Sequence, residues 1–190
     1  MTAAQQPAQD LVEQFVLAAH GNPARVRELL AQEPALLNAP WERVDETALQ
    51  AASHMGRRDI AEHLLAAGAP LDICAAAMLG RTDRVREFLQ RDPSLARATG
   101  AHGIPLLFHA ALSGETEIAD LLVARGGGAG VDAALHGAVR PGHLAMTRWL
   151  LERGANSNAS NFEGKTPVRV AVEQGHDEIA ALLRERGGTE

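Results

Sequence analysis

Eight histidines, one cysteine and a run of glycines are the residues of this 190-residue chain that invite a chemical reading. Histidine is the commonest transition-metal ligand and the usual general base near neutral pH. A zinc hydrolase of the common helical type would show His-Glu-x-x-His, and a structural zinc site would use paired cysteines. Neither pattern occurs. Cys74 stands alone, and the closest histidines, His102 with His109 and His136 with His143, are seven residues apart and straddle a turn or reach into a linker. The histidines are therefore expected to be structural, and no metal or cofactor set is assigned. Gly126-Gly127-Gly128-Ala129-Gly130 resembles a phosphate loop only in composition, because a helical segment precedes it and no nearby lysine follows. It reads as a flexible turn. Ser113 lacks the flanking glycine of a nucleophile elbow, Ala111 standing in that place. Cys74 lies in an Ala-rich stretch and reads as a small buried residue. Asn158-Ala159-Ser160 fits a glycosylation sequon, which has meaning only in a secreted chain. No catalytic constellation emerges, and the chain is expected not to be an enzyme.

The composition narrows what must position such residues. Aromatics make up 3% of the chain and Tyr is absent, so a β-sandwich has little material, whereas the abundant Ala and Leu suit thin, closely packed helices. A net charge of -6 argues against nucleic acid as a partner. One cysteine excludes an internal disulfide framework and fits a reducing compartment. The opening residues lack the basic and apolar regions of a signal peptide, and no apolar run is long enough to span a bilayer. The expectation is a cytoplasmic protein with no membrane association.

The chain repeats itself. Arg25-Val26-Arg27-Glu28 returns as Arg84-Val85-Arg86-Glu87, 59 residues later, each copy followed by an acid-Pro pair, Glu33-Pro34 and Asp92-Pro93. Six glycines follow short Ala-rich segments: Gly21, Gly56, Gly80, Gly114, Gly142 and Gly175. Eight and nine residues beyond each stands a pair that is apolar in eleven of twelve positions, the exception being Arg184. A further apolar residue precedes each pair (Val26, Ile60, Val85, Ile118, Met146 and Ile179), which completes a helical stripe. Each unit thus reads as helix, glycine turn, helix. The glycine spacings of 35, 24, 34, 28 and 33 alternate long and short linkers. Pro34 and Pro93 are expected to end their helices.

The unit resembles the ankyrin repeat. Gly164-Lys165-Thr166-Pro167-Val168 carries that family's opening, Gly142-His143 and Gly175-His176 its middle, and Leu64-Leu65-Ala66-Ala67-Gly68-Ala69 its close. The resemblance covers about residues 11–188 and implies an all-α solenoid of about six units, near 11–40, 41–70, 71–97, 98–130, 131–160 and 161–190, in one domain spanning 11–190 after a frayed segment 1–10. β-Hairpin fingers are expected at only three junctions, in the segments Asn38–Thr47, Arg97–Pro105 and Asn158–Pro167. No unit keeps the family's Thr and His together, so stability is expected to rest on interhelical packing. Terminal units need a polar outer side, and Arg184 to Arg186 mark a C-terminal cap.

The resemblance also implies a concave face lined by the two residues before each turn glycine. The candidate floor is Met55, Met78, Leu79 and Leu112, edged by Trp41, Phe108 and Phe162, with His54, Arg140 and Glu173 along the same face. The expected function is a non-catalytic adaptor, scaffold or inhibitor that binds a protein partner, as a monomer. The alternatives are a small-molecule sensor using an apolar groove and an enzyme whose site is spread over several repeats, for which His20, His54 and Glu173 are the first residues to inspect.

Overall fold

The computed structural model describes residues 7–190. Most of the expected frayed segment lies outside the described residues, and helix α1 already begins at Gln9. Twelve helices follow one another among the described residues: α1 (Gln9–Ala19), α2 (Pro23–Gln32), α3 (Ala48–His54), α4 (Arg58–Ala66), α5 (Ile73–Met78), α6 (Thr82–Arg91), α7 (Leu106–Ser113), α8 (Thr116–Val123), α9 (Val131–Val139), α10 (Leu144–Glu152), α11 (Pro167–Glu173) and α12 (Asp177–Glu185). The fold is all-α, and the six glycines found by counting sit between the members of six helix pairs. No strand longer than an isolated bridge forms among the described residues. No helix is long and apolar enough to cross a membrane.

The chain packs as two compact units. One comprises the residues up to Ala75 together with Thr99–Ile104, and the other Ala76–Ala98 with Pro105–Glu190. The division falls inside α5, within the third repeat. In the first unit α1 packs on α3 and α2 on α4, enclosing Val12, Phe15, Val16, Val26, Leu29, Leu49, Ile60 and Leu64. In the second, α7 packs on α9 and α9 on α11, while α8, α10 and α12 form the matching outer row. Its core runs from Leu107 through Leu135, Met146 and Leu150 to Ile179 and Leu183. The short inner helices are rich in alanine, which lets their axes approach closely.

The duplicated segment does not place its apolar pair identically. In α2 Leu29 is buried and Leu30 half-buried, whereas in α6 Leu89 is buried and Phe88 half-buried. Adjacent helical positions lie about 100° apart, so the two members of a pair face different directions and a small rotation of the helix changes which is buried deeper. The Arg84 guanidinium lies 5.9 Å above the Phe88 ring. The acid-Pro pairs have a purpose beyond stopping a helix. Each proline opens a 3₁₀ turn (Pro34–Asn38 and Pro93–Arg97) whose free amides are met by the acid: Glu33 accepts from the Ala35 amide at 3.2 Å and Asp92 from the Ser94 amide at 2.9 Å.

At the three expected finger positions the chain makes tight turns, each closed by a backbone hydrogen bond. Trp41 N–H donates to the Glu46 carbonyl (2.8 Å), Gly100 N–H to Ile104 (2.8 Å) and Asn161 N–H to Lys165 (2.9 Å). Thr47, which lacks its family histidine, forms a capping box with Gln50 instead: Gln50 Oε1 accepts from the Thr47 amide at 2.8 Å, and Thr47 Oγ1 from the Gln50 amide at 3.4 Å.

The glycine run after α8 is not a slack linker. Gly127 N–H closes the helix by donating to the Leu122 carbonyl at 2.9 Å, and a Cβ on Gly127 would lie 2.1 Å from the Ala96 carbonyl oxygen. Glycine is required there by close backbone approach. Gly127→Ala should cost about 2 kcal/mol and lower Tm by about 4–8 °C in calorimetry, whereas Gly128→Ala, whose Cβ would meet only Val123 at 3.7 Å, should leave Tm within about 1 °C. Cys74 is buried in α5, and burial, then the neighbouring Asp72 charge, pushes its thiol up to about 12. The native protein at pH 8 should therefore resist a thiol-specific disulfide reagent, and the guanidinium-unfolded chain should take up one equivalent at once.

Candidate functional site

The polar cluster with the most chemical potential lies in the first unit. It is assembled by four separate segments. His20 caps the end of α1, His54 ends α3, Glu46 closes the turn begun by Trp41, and His102 stands in the 3₁₀ turn Ala101–Gly103. Two residues with left-handed backbones shape these turns, Asp45 (φ 52°) immediately before Glu46 and His102 itself (φ 57°). A non-glycine residue in that region costs roughly 1 kcal/mol and persists where the surroundings hold it.

All three imidazoles turn Nε2 toward one carboxylate. His54 Nε2 donates to Glu46 Oε1 at 2.8 Å, while His102 and His20 present Nε2 to Glu46 Oε2 at 3.4 and 3.8 Å. The rings of His20 and His54 meet edge to face with centroids 5.1 Å apart, and those of His54 and His102 at 5.4 Å. The Glu46 side chain is 1% exposed, against 10% for His54, 29% for His20 and 44% for His102. Burial pushes the Glu46 carboxyl upward, but the His54 hydrogen bond and the positive field of His54, His20 and His102 outweigh it and hold the group below its ordinary value. The result is a buried carboxylate ringed by imidazoles, open to solvent on the His102 and His20 side. The same donor set, with ligand atoms of His20, Glu46 and His54 all within 4.8 Å of one another, has the reach to hold a metal ion.

The expectation of one structural class of histidine therefore describes only some of them. His143 Nε2 lies 3.1 Å from the Leu112 carbonyl and its ring fills the space a Cβ on Gly114 would need. His176 does the same one repeat later, 3.2 Å from the Arg140 carbonyl and against Gly142. Arg57 takes the equivalent position in the second repeat, donating to the Gly21 carbonyl at 2.9 Å. His136 Nε2 lies 2.7 Å from the Ala159 carbonyl, and burial lowers its tendency to charge. The seven-residue spacing of His136 and His143 pairs nothing, since each ring serves a different carbonyl. The sequence does not single out Glu46 and sets His102 only beside His109, because the contact between Glu46 and His102 spans 56 residues and that between His54 and His102 spans 48. The one available signal was that His20 and His54 both fall just before a turn glycine.

The remaining candidates distribute unevenly. Met78 is 0% and Leu79 6% exposed, so neither presents the groove floor foreseen for it. The physical reason is local: Ile73-Cys74-Ala75-Ala76-Ala77-Met78 has no polar residue, and a helix apolar on every side must be enclosed. Trp41 and Met55 are half-buried in the first unit, as are Phe108 and Leu112 in the second. Arg140 and Glu173 are exposed, and Glu173 accepts from Lys165 Nζ at 2.7 Å and Arg169 Nε at 2.8 Å. Phe162 is 91% exposed at the tip of the third finger turn. That turn is rigidly built: Asn161 Oδ1 accepts from the amides of Glu163 (2.9 Å) and Lys165 (3.0 Å), and Gly164 has the left-handed backbone the bend requires (φ 74°).

Comparison with known proteins agrees with the helix-pair architecture. The family of ankyrin repeats in three copies matches residues 107–190, and the single ankyrin repeat matches residues 45–76, together more than half of the chain. The cyclin-dependent kinase 4 inhibitor B of Rattus norvegicus is 29% identical over 133 residues, covering 66% of this chain and 99% of the inhibitor. The same inhibitor from Bos taurus is 28% identical over 129 residues, covering 64% and 95%. The potassium channel AKT1 of Arabidopsis thaliana is 44% identical over 54 residues, which is 28% of this chain but only 6% of the channel. Matched families, glycine-centred helix pairs and histidine-to-carbonyl contacts between successive repeats lead to one assignment: the chain is a member of the ankyrin-repeat family.

Proposed function

We propose that this chain is a non-catalytic module that binds a folded protein partner, acting as an adaptor, scaffold or inhibitor, with the third finger turn of the second unit as its anchor. An ankyrin array is a protein-interaction module, and fold by itself goes no further than that. The observation that carries the finer reading is Phe162. A phenylalanine left 91% exposed forfeits roughly 1.5–3 kcal/mol of burial. Here the aromatic is held out on a turn whose backbone amides are already satisfied, so little ordering entropy is lost on binding. Around it, Glu163, Lys165, Arg169 and Glu173 form a linked set of ion pairs, an arrangement that suits a central apolar anchor with a charged rim. Arg140, Phe108 and Leu112 extend the candidate surface within the same unit. The Rattus norvegicus relative is named as an inhibitor of a kinase and matches over nearly its whole length, which supports binding to a folded protein surface.

Affinity purification from an extract of the source cell, read by quantitative mass spectrometry, tests the reading. Phe162→Ala should leave Tm within about 1 °C and lower recovery of the specific partner by tenfold or more, as expected for an aromatic hot spot. Equal recovery by wild type and variant would remove Phe162 from the interface.

A further inference from the structure

We propose that His20, Glu46, His54 and His102 form a binding site for one divalent transition-metal ion of the zinc class, independent of the partner-binding reading. The donor set is three imidazole nitrogens and one carboxylate oxygen. Magnesium and calcium prefer oxygen-rich shells, whereas zinc is commonly held by histidine together with carboxylate in four-coordinate geometry. With metal–ligand bonds of about 2.0–2.1 Å, neighbouring ligand atoms of a tetrahedral site lie roughly 3.3 Å apart. His102 and His20 Nε2 lie 3.4 and 3.8 Å from one carboxylate oxygen, Glu46 Oε2, close to that value, and His54 Nε2 lies 2.8 Å from the other, Oε1.

The hydrogen bonding of His20 points to a cation. Its Nδ1 lies 2.9 Å from the Val16 carbonyl, which has no hydrogen to give, so Nδ1 carries the proton. Nε2 then faces a Glu46 carboxylate oxygen at 3.8 Å, a place where positive charge, a proton or a metal ion, is favoured. A backbone carbonyl fixing the far nitrogen is the usual support for a metal-bound histidine, because it sets the tautomer and orients the ring. His54 donates from Nε2, and to ligate it must release that hydrogen to solvent. The half-exposed His102 and the partly exposed His20 leave a route for the ion, while Glu46 and His54 form the enclosed floor. His20, Glu46 and His54 bring their ligand atoms within 4.8 Å of one another, His102 Nε2 lies 3.4 Å from Glu46 as the fourth donor, and an ion held by all four would be structural. It would tie the ends of α1 and α3 to two turns that otherwise carry left-handed backbone at Asp45 and His102.

The test uses the untagged full chain, stripped with a chelator and titrated with Co2+ and then Zn2+. The expected result is one equivalent of Co2+ with the visible absorption of a four-coordinate site, displaced by Zn2+, together with a Zn2+-dependent rise in Tm that Mg2+ does not produce. His102→Ala, on an exposed turn, should keep the wild-type far-ultraviolet spectrum and weaken Co2+ binding about tenfold or more; His20→Ala should do the same. His143→Ala, remote from the set in sequence and bonded to another repeat's carbonyl, should leave Co2+ affinity unchanged. Absence of visible bands and of any Zn2+ effect on Tm would overturn the proposal, and show that protons alone supply the charge beside His20. Retention of wild-type affinity by both His102→Ala and His20→Ala, or equal stabilisation by Mg2+, would overturn it as well.

Discussion

A pair of helices as short as these, 6 to 11 residues each, cannot bury its own apolar faces, and everything else in this protein follows from that insufficiency. Within each compact unit a repeat's stripe finds its cover on the neighbouring repeat, so those helix pairs lie side by side in register. In the second unit the stripe residues Ile118, Met146 and Ile179 and the leucines Leu122, Leu150 and Leu183 are all 2% exposed or less. Isolated helices of this length are marginal in water, which places nearly all of their stability in the contacts between repeats.

Polar contacts set the register of those neighbours. A side chain just after the turn glycine reaches back to a carbonyl at the preceding repeat's turn, as Arg57, His143 and His176 do. The preceding repeat's turn glycine has to be bare where the imidazole lies over it: a Cβ on Gly114 would come within 2.7 Å of the His143 ring, and one on Gly142 within 2.7 Å of His176. On the outer row Trp149 Nε1 donates to Asp120 at 2.8 Å, Arg153 pairs with the same oxygen at 3.1 Å, and the Arg153 guanidinium lies 3.7 Å above the indole. These contacts link helices α8 and α10 without occupying the alanine-lined interior. They leave the finger turns free to carry exposed groups such as Phe162.

The His–Glu cluster is a different use of the same scaffold. The Trp41–Glu46 turn supplies the carboxylate, and the ends of α1 and α3 supply two imidazoles, one residue before Gly21 and two before Gly56. A carboxylate 1% exposed is costly to leave uncompensated, and three surrounding imidazoles are the local means of compensation. The repeat architecture makes such a cluster easy to form, because the ends of helices in adjacent repeats are neighbours in space.

The sequence by itself determined the repeat: six turn glycines, a stripe four to nine residues beyond each, and alanine-rich inner segments, all of which the helix pairs reproduce. It also marked the three finger turns, since Asn, Asp, Gly and Pro act through local backbone preferences that do not depend on neighbours. It placed His20 and His54 on one face, because both sit just before a turn. Tertiary structure alone decided the rest. Met78 and Leu79 looked like surface by repeat position, yet an all-apolar α5 is enclosed. Gly127 looked like slack, yet the Ala96 carbonyl occupies the space a side chain would need. Glu46 looked unrelated to any histidine and His102 was set only beside His109, because what unites the cluster is proximity across packed helices and turns, and no one-dimensional period records a contact made by stacking.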